Sequence, residues 1–288
     1  MLVTPAKTET WTYVSGDWHE GNVAIAGPMT HAFWMGSSVF DGARAFNGVT
    51  PDVERHFARV NASAIALGLE PTETVESMMG LLADGLKKFE TKEAIYIRPM
   101  YWADSSGYMG VQCDGASTRF LLCLYESPMI AATGFSLSVS PFRRPTVETM
   151  PTDAKSGCLY PNNARMIKEA KSRGFDNALV LDMLGNIAET ATSNLFLVED
   201  GVVRTPAPNG SFLAGITRDR TISLLRDKGY TVEETRLTLA DVHRADEAFS
   251  TGNHSKVIPI NQIDDTHFQA GHVGEDARTL YMDWARAG

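Results

Sequence analysis

The chain has 288 residues, 43% of them hydrophobic, and its 26 Lys+Arg stand against 35 Asp+Glu for a net charge of -9. That length accommodates one large or two moderate domains with a sizeable core, while the acidic balance excludes the basic stripe that a nucleic-acid backbone requires. No apolar stretch approaches the roughly 18 residues of a membrane span, and no signal-peptide pattern precedes Pro5. The three cysteines, Cys113, Cys123 and Cys158, form no CxxC and leave one over, so a cytoplasmic setting is expected.

In chain order, residues 11–14, 22–26 and 43–46 read as short strands. Ser15-Gly16-Asp17 separates the first two, and the Asn47-Gly48 turn follows the third. From Val53 the apolar spacing becomes helical through Phe57, Val60, Ala64, Ile65 and Leu67, and it stops at Gly68. Pro71 and Thr72 open a second helix carrying Val75, Met78, Leu81, Leu82, Leu86 and Phe89. Strands over 94–100 and 118–125 flank a Gly-containing loop at 105–111. A boundary at Glu126-Ser127-Pro128 closes this α+β unit and predicts domains at 1–128 and 129–288. Beyond it the pattern predicts strands at 136–140, 178–182 and 194–198, and a hairpin at Glu199-Asp200-Gly201. Helices are expected at 163–173, 218–227 and 275–287. Consecutive hairpins point to a mostly antiparallel, barrel-like sheet in the larger domain, and to an α+β (α/β) fold in all.

Several chemistries lack their signals. The sequence has no GxxxxGK[ST] phosphate loop, no GxGxxG after a strand and no GxSxG, and the histidines His267 and His272 have no metal-ligand spacing, so no metal is expected. Lys155 stands out because Ala154, Ser156 and Gly157 surround it with small residues. A flat ligand can approach such a lysine closely, and desolvation would expose a nucleophilic amine; a solvated surface lysine is the alternative. Glu189 lies in a run of small residues entering an apolar strand, where a buried carboxylate needs a positive or donor partner. A pyridinium N–H would serve, as would the carboxylate capping its own turn. Leu213-Ala214-Gly215-Ile216-Thr217-Arg218 puts a turn at a helix start, suited to an anion or to a plain Thr217 cap. Ser250-Thr251-Gly252-Asn253 is a second small polar turn. Arg55, in Glu54-Arg55-His56, is a phosphate clamp or a surface charge.

Five separated stretches occur together: HAFWMGSSVFDGAR (31–44), ERH (54–56), AIYIRP (94–99), AKSGCLYPNNA with IAETATSNLF, and AGITRD with EAFSTGN. In this order they resemble a fold-type IV pyridoxal-phosphate aminotransferase of class IV, the branched-chain group, over roughly residues 20–285. The resemblance implies the two-domain D-amino acid aminotransferase-like fold, with pyridoxal 5′-phosphate held as an internal aldimine on Lys155. Lys155 would shuttle the proton between the substrate α carbon and the cofactor C4′. Glu189 would pair with the pyridine nitrogen, Tyr160 with the phenolic oxygen and Arg55 with the phosphate. The amides of Ile216 and Thr217 and the Gly252-Asn253 turn would complete the phosphate cradle.

On the substrate side the resemblance implies Phe40, Gly42, Tyr96 and Arg98, the last receiving the distal carboxylate of glutamate. Met35, and Met109 and Val111 of a loop reaching a neighbouring subunit, would complete the pocket and make a homodimer the minimum assembly. Met35 and Asn253 stand where the branched-chain group carries tyrosine and threonine, and Tyr125-Glu126-Ser127-Pro128 lacks the group's tryptophan. The implied reaction moves an amino group from L-leucine, L-isoleucine or L-valine to 2-oxoglutarate. Alternatives on the same fold are a D-amino acid transaminase, an (R)-selective amine transaminase and an aminodeoxychorismate lyase. A non-catalytic binding protein on this scaffold would be expected to have lost Lys155, Tyr160, Glu189 or Arg55, and all four are present. No nucleic-acid or membrane partner is expected.

Overall fold

The structure is a computed structural model that describes residues 3–4, 8–90, 94–269 and 271–287. The N-terminal segment read for a targeting signal lies, apart from residues 3–4, outside the described residues. The chain divides into two compact units, Met1–Met129 with Asp153–Cys158, and Ile130–Thr152 with Leu159–Gly288. The segment carrying Lys155 thus belongs to the first unit.

The first unit holds strands β1 (Val3–Thr4), β2 (Thr10–Val14), β3 (Asp17–Glu20) and β4 (Asn22–Val23), helix α1 (His31–Met35), and strands β5 (Ser38–Phe40) and β6 (Ala43–Phe46). Helices α2 (Val53–Ala66) and α3 (Val75–Leu86) and strands β7 (Ala94–Ala103) and β8 (Thr118–Glu126) complete it. Its antiparallel sheet runs β3-β2-β8-β7-β5, with β6 also on β7. Alternation along the long strands sets the layers. Ile95, Ile97 and Tyr101 of β7, with Phe120, Leu122 and Leu124 of β8, are buried with Phe57, Val60, Ala64, Met78 and Leu82 of the two helices. The α3 N-cap is Thr74, whose side chain accepts the Ser77 N–H.

Three local readings change. Ser15-Gly16 closes a two-residue hairpin rather than a spacer, because both residues have positive φ (55° and 91°) and Asp17–Glu20 turns back to pair with β2. The strand read at 22–26 ends at Val23. The α3 helix ends at Leu86, and Phe89 reaches the core from beyond it.

The second unit contains β9 (Phe135–Arg143), α4 (Tyr160–Ser172), β10 (Asn177–Leu181), β11 (Ile187–Thr190), β12 (Asn194–Glu199) and β13 (Val202–Pro206). It continues with α5 (Ile216–Asp227), β14 (Val232–Thr235), α6 (Leu239–Arg244), β15 (Glu247–Gly252), β16 (Lys256–Ile263), β17 (Thr266–His267) and α7 (His272–Ala287). The described residues form a curled nine-stranded sheet in the order β11-β10-β9-β16-β15-β12-β13-β14, with β17 on β16. The pairings β9–β10, β9–β16 and β13–β14 are parallel and the others antiparallel. Successive residues of β10 feed opposite layers: Leu179 and Leu181 join one core, Ala178 and Val180 pack with Met166 and Ala170 of α4. Helix α4 begins three residues before the expected 163, since Pro161 in the first turn costs no hydrogen bond there. This is the fold class expected.

Candidate active site

The small residues around Lys155 permit a backbone held on several sides. Ala154 and Ser156 are buried. The Lys155 N–H donates to Ser63 Oγ at 3.0 Å, and the Phe40 N–H donates to the Lys155 carbonyl at 3.1 Å. Ser156 Oγ donates to the Ser38 carbonyl at 3.1 Å. From this seat Lys155 Nζ lies 5.1 Å from the centroid of the Phe40 ring.

Helix α2 contributes more than the lysine's anchor. Arg55, Arg59 and Ser63 are spaced four apart and share one helix face. Arg55 is 42% exposed and lies 3.6 Å from Asp52. Arg59, only 18% exposed, donates through Nε and Nη2 to the two carboxylate oxygens of Asp41 at 2.7 and 2.8 Å. Asp41 also accepts from the Gly42 N–H and from His56 Nδ1, each at 2.7 Å. An ionised carboxylate only accepts, so the His56 proton sits on Nδ1. Burial pushes the Asp41 carboxyl up, but Arg59 and His56 outweigh it and hold the group well below the usual carboxylate range.

On the other face of the same sheet, Tyr96 and Tyr125 stack with centroids 5.1 Å apart. The Arg98 guanidinium lies over both rings, at 5.2 and 4.9 Å, and donates to the Tyr125 hydroxyl at 2.5 Å. The Arg44 guanidinium lies 5.8 Å from the Tyr96 ring centroid. A Cβ on Gly42 would collide with the Tyr96 hydroxyl as that ring is placed. Met35, Met109 and Val111 are exposed, and Gly36, next to Met35, approaches Cys158 of the Lys155 segment. The buried His31 ties that corner together, with Nδ1 2.8 Å from Ser37 Oγ and Nε2 3.2 Å from the Val111 carbonyl. Met109 holds a left-handed φ of 62°.

In the second unit Glu189 is 8% exposed on β11. Its Oε1 is 2.8 Å from Arg144 Nη2, and its Oε2 accepts from Asn194 Nδ2 at 3.3 Å. Arg144 donates further to Asn163 Oδ1 at 2.6 Å and to the carbonyls of Thr190 and Ala191. Tyr160 opens α4. Asn194 Nδ2 also reaches the Leu213 carbonyl at 3.2 Å, and a Cβ on Gly215 would collide with its Oδ1. One side chain therefore joins the carboxylate to the start of α5. There Gly215 at the N-cap is extended and offers no side chain to the first-turn amides of Ile216 and Thr217. Directly across from Asn194 lies Thr251, whose Oγ1 is buried with no hydrogen-bond partner among the described residues. Gly252 packs on Ser193, and Asn253 Oδ1 accepts from Lys256 Nζ at 2.8 Å.

Helix-start amides and an orphaned hydroxyl fit a phosphate group, and a buried carboxylate between two donors fits a pyridinium N–H. Residues 38–263 match the family amino-transferase class IV. The chain belongs to this family. It is 35% identical to a probable branched-chain-amino-acid aminotransferase of Rickettsia bellii over 255 residues, 88% of this chain and 87% of the other. It is 31% identical to the branched-chain-amino-acid aminotransferase of Escherichia coli strain K12 over 267 residues, 89% of this chain and 85% of that one. The crystal structure of an aminotransferase from Brucella abortus, bound to pyridoxal phosphate, superposes with a TM-score of 0.95 at 54% identity. That match covers 96% of this chain and 99% of the other.

Within this class IV aminotransferase, Asp41, His56, Arg59, Ser63, Arg144 and Asn194 escaped the motif reading. Helical spacing from Arg55 could have pointed to Arg59 and Ser63. Nothing in the sequence pairs Asp41 with Arg59 or Arg144 with Glu189, since those contacts arise only from tertiary packing.

Proposed function

We propose that this aminotransferase moves an amino group between a branched-chain L-amino acid and 2-oxoglutarate. The cofactor is pyridoxal 5′-phosphate, which when bound supplies an electron sink for the charge left at the substrate α carbon. Lys155 Nζ would hold the cofactor and, when free, would be the base that takes the proton from the substrate α carbon. Phe40, which anchors the Lys155 backbone and lies beside its amine, limits water there. Glu189 would face the ring nitrogen, and the Arg144 contact orients its carboxylate. Tyr160 donates to the phenolic oxygen. The amides of Ile216 and Thr217, with the Gly252-Asn253 turn, receive the phosphate. Arg55 and Arg59 share the helix face that carries Ser63, and that face supplies the cations for the phosphate, Arg59 being the more enclosed of the two.

Arg98, fixed against Tyr96 and Tyr125, receives the distal carboxylate of the acceptor, and Gly42 leaves room beside Tyr96. The exposed apolar residues Met35, Tyr108, Met109 and Val111 fit a contact with a second copy of the chain, and we read the assembly as a homodimer or larger. A cytoplasmic location suits three cysteines that form no disulfide.

The observation that carries the reading is the seat of Lys155, a lysine whose neighbours are small and buried and whose backbone is held from α2 and β5. The test runs L-leucine, D-alanine and (R)-1-phenylethylamine separately as donors with 2-oxoglutarate. Turnover of L-leucine is expected; its absence would sink the assignment of substrate, and a preference for the (R)-amine would replace it.

A further inference from the structure

Asp41 lies beside residues assigned to substrate and phosphate but has no place in the chemistry itself. Its carboxylate is wholly buried and receives four donors, two of them from the one guanidinium of Arg59. Its own N–H donates to the Pro99 carbonyl at 3.0 Å, fixing it to β7, and its neighbour Phe40 holds the Lys155 carbonyl. Arg59 lies one helical turn from Ser63, which holds the Lys155 N–H. The contacts close a ring: Lys155 to Ser63, along α2 to Arg59, across to Asp41, and through Phe40 back to Lys155.

We propose that Asp41 is a positioning residue for the cofactor's phosphate, fixing the plane of the Arg59 guanidinium at a set distance from the reactive lysine. This rests on the reading that the Arg59 face of α2 receives the phosphate. A carboxylate near an anion site opposes the anion by charge alone, so its presence needs a geometric reason. The two-point Arg–carboxylate contact supplies one, since it orders a long side chain before the ligand arrives. His56 adds a third direction of restraint on Asp41. The same triad could serve only to staple the turn after β5 to α2, and the two roles separate by ligand.

The test titrates apoprotein with pyridoxal 5′-phosphate and with pyridoxal, which keeps the aldehyde and lacks the phosphate. Asp41→Asn is expected to weaken binding of the phosphorylated form about tenfold, as loss of an outer partner of a binding group does, while pyridoxal affinity stays within about twofold. Arg59→Ala should show the same selectivity, and the double variant should bind no worse than the weaker single. Should Asp41→Asn fail to fold, His56→Leu serves in its place and His56→Asn, which keeps a donor at the Nδ1 position, should restore the phosphate preference. Equal loss for both ligands, or tighter binding of the phosphate form through relief of charge, overturns the positioning role. If Arg59→Ala leaves the ratio of the two affinities unchanged, the phosphate reading of this helix face falls, and the inference with it.

Discussion

Replacing Arg144 by Met tests whether the Glu189 site is a buried ion pair of structural consequence. The side chains of Arg144 and Glu189 are 8% and 10% exposed. Arg144 loses its contact with Glu189 and its bonds to Asn163, Thr190 and Ala191 at once. Neutral hydrogen bonds contribute about 1 kcal/mol each and charged ones about 1.5–3. Methionine recovers part of this, because it carries no charge into the interior. What remains is the cost of taking the guanidinium away from Glu189 and three further acceptors, about 3–5 kcal/mol. Glu189→Gln should cost less, about 1–2 kcal/mol, since the amide oxygen still accepts from Arg144. Urea unfolding of the apoprotein, followed by far-UV circular dichroism, measures both without the linkage that bound cofactor adds. The double variant should be destabilised by at least about 1 kcal/mol less than the sum of the singles. Additive losses, or an Arg144→Met variant within about 1 kcal/mol of the parent, would refute a coupled buried pair.

Lys155→Ala should abolish transamination and the yellow absorbance of covalently held cofactor, while the far-UV spectrum is retained; residual transamination would remove Lys155 from the chemistry. Thr251→Val should act in opposite directions. Removing a buried hydroxyl without a partner should stabilise the apoprotein by about 1 kcal/mol, and pyridoxal 5′-phosphate should bind less tightly to it; equal or tighter binding would exclude Thr251 from the phosphate cradle. Gly42→Ala forces a Cβ against the Tyr96 hydroxyl, so a loss of about 1–3 kcal/mol and a raised KM for the acceptor are expected, both absent if Tyr96 simply rotates away. Asp41 has a folded pKa below its unfolded one, so its stabilisation is present above the ordinary carboxylate range and fades as pH falls through the folded value. The gap in urea midpoint between the parent and Asp41→Asn should hold steady from pH 5 to 8 and shrink below about pH 4; a constant gap down to pH 2 would contradict the depressed pKa.

Most elements of this fold are local enough to be read directly. Val53 to Ala66 repeats apolar residues at helical spacing, and β7 and β8 are long runs with turn residues at their ends. The failures are equally local in cause. Asp17–Glu20 has no strand signal of its own, since its side chains are exposed or half-buried, and only its pairing with β2 makes it a strand. Helix α1 is five residues long, and β5 three, too short for any period to show.

The candidate site divides along the same line. Lys155 and Glu189 stand out in the sequence because each sits among small residues, and the Gly215-Ile216-Thr217 turn because it opens a helix. Asp41 and Arg144 carry as much of the local electrostatics, yet their immediate neighbours mark neither. A buried charge is recognisable from its partner, and both partners lie far along the chain: Arg59 is 18 residues from Asp41 and Glu189 is 45 from Arg144. Charged residues that orient other charged residues therefore leave a weaker trace than those set among small residues. Arg55 and Arg59 make the difference concrete. The motif reading selected the first by its place beside His56, whereas only packing shows that the second is the one a buried carboxylate holds in place.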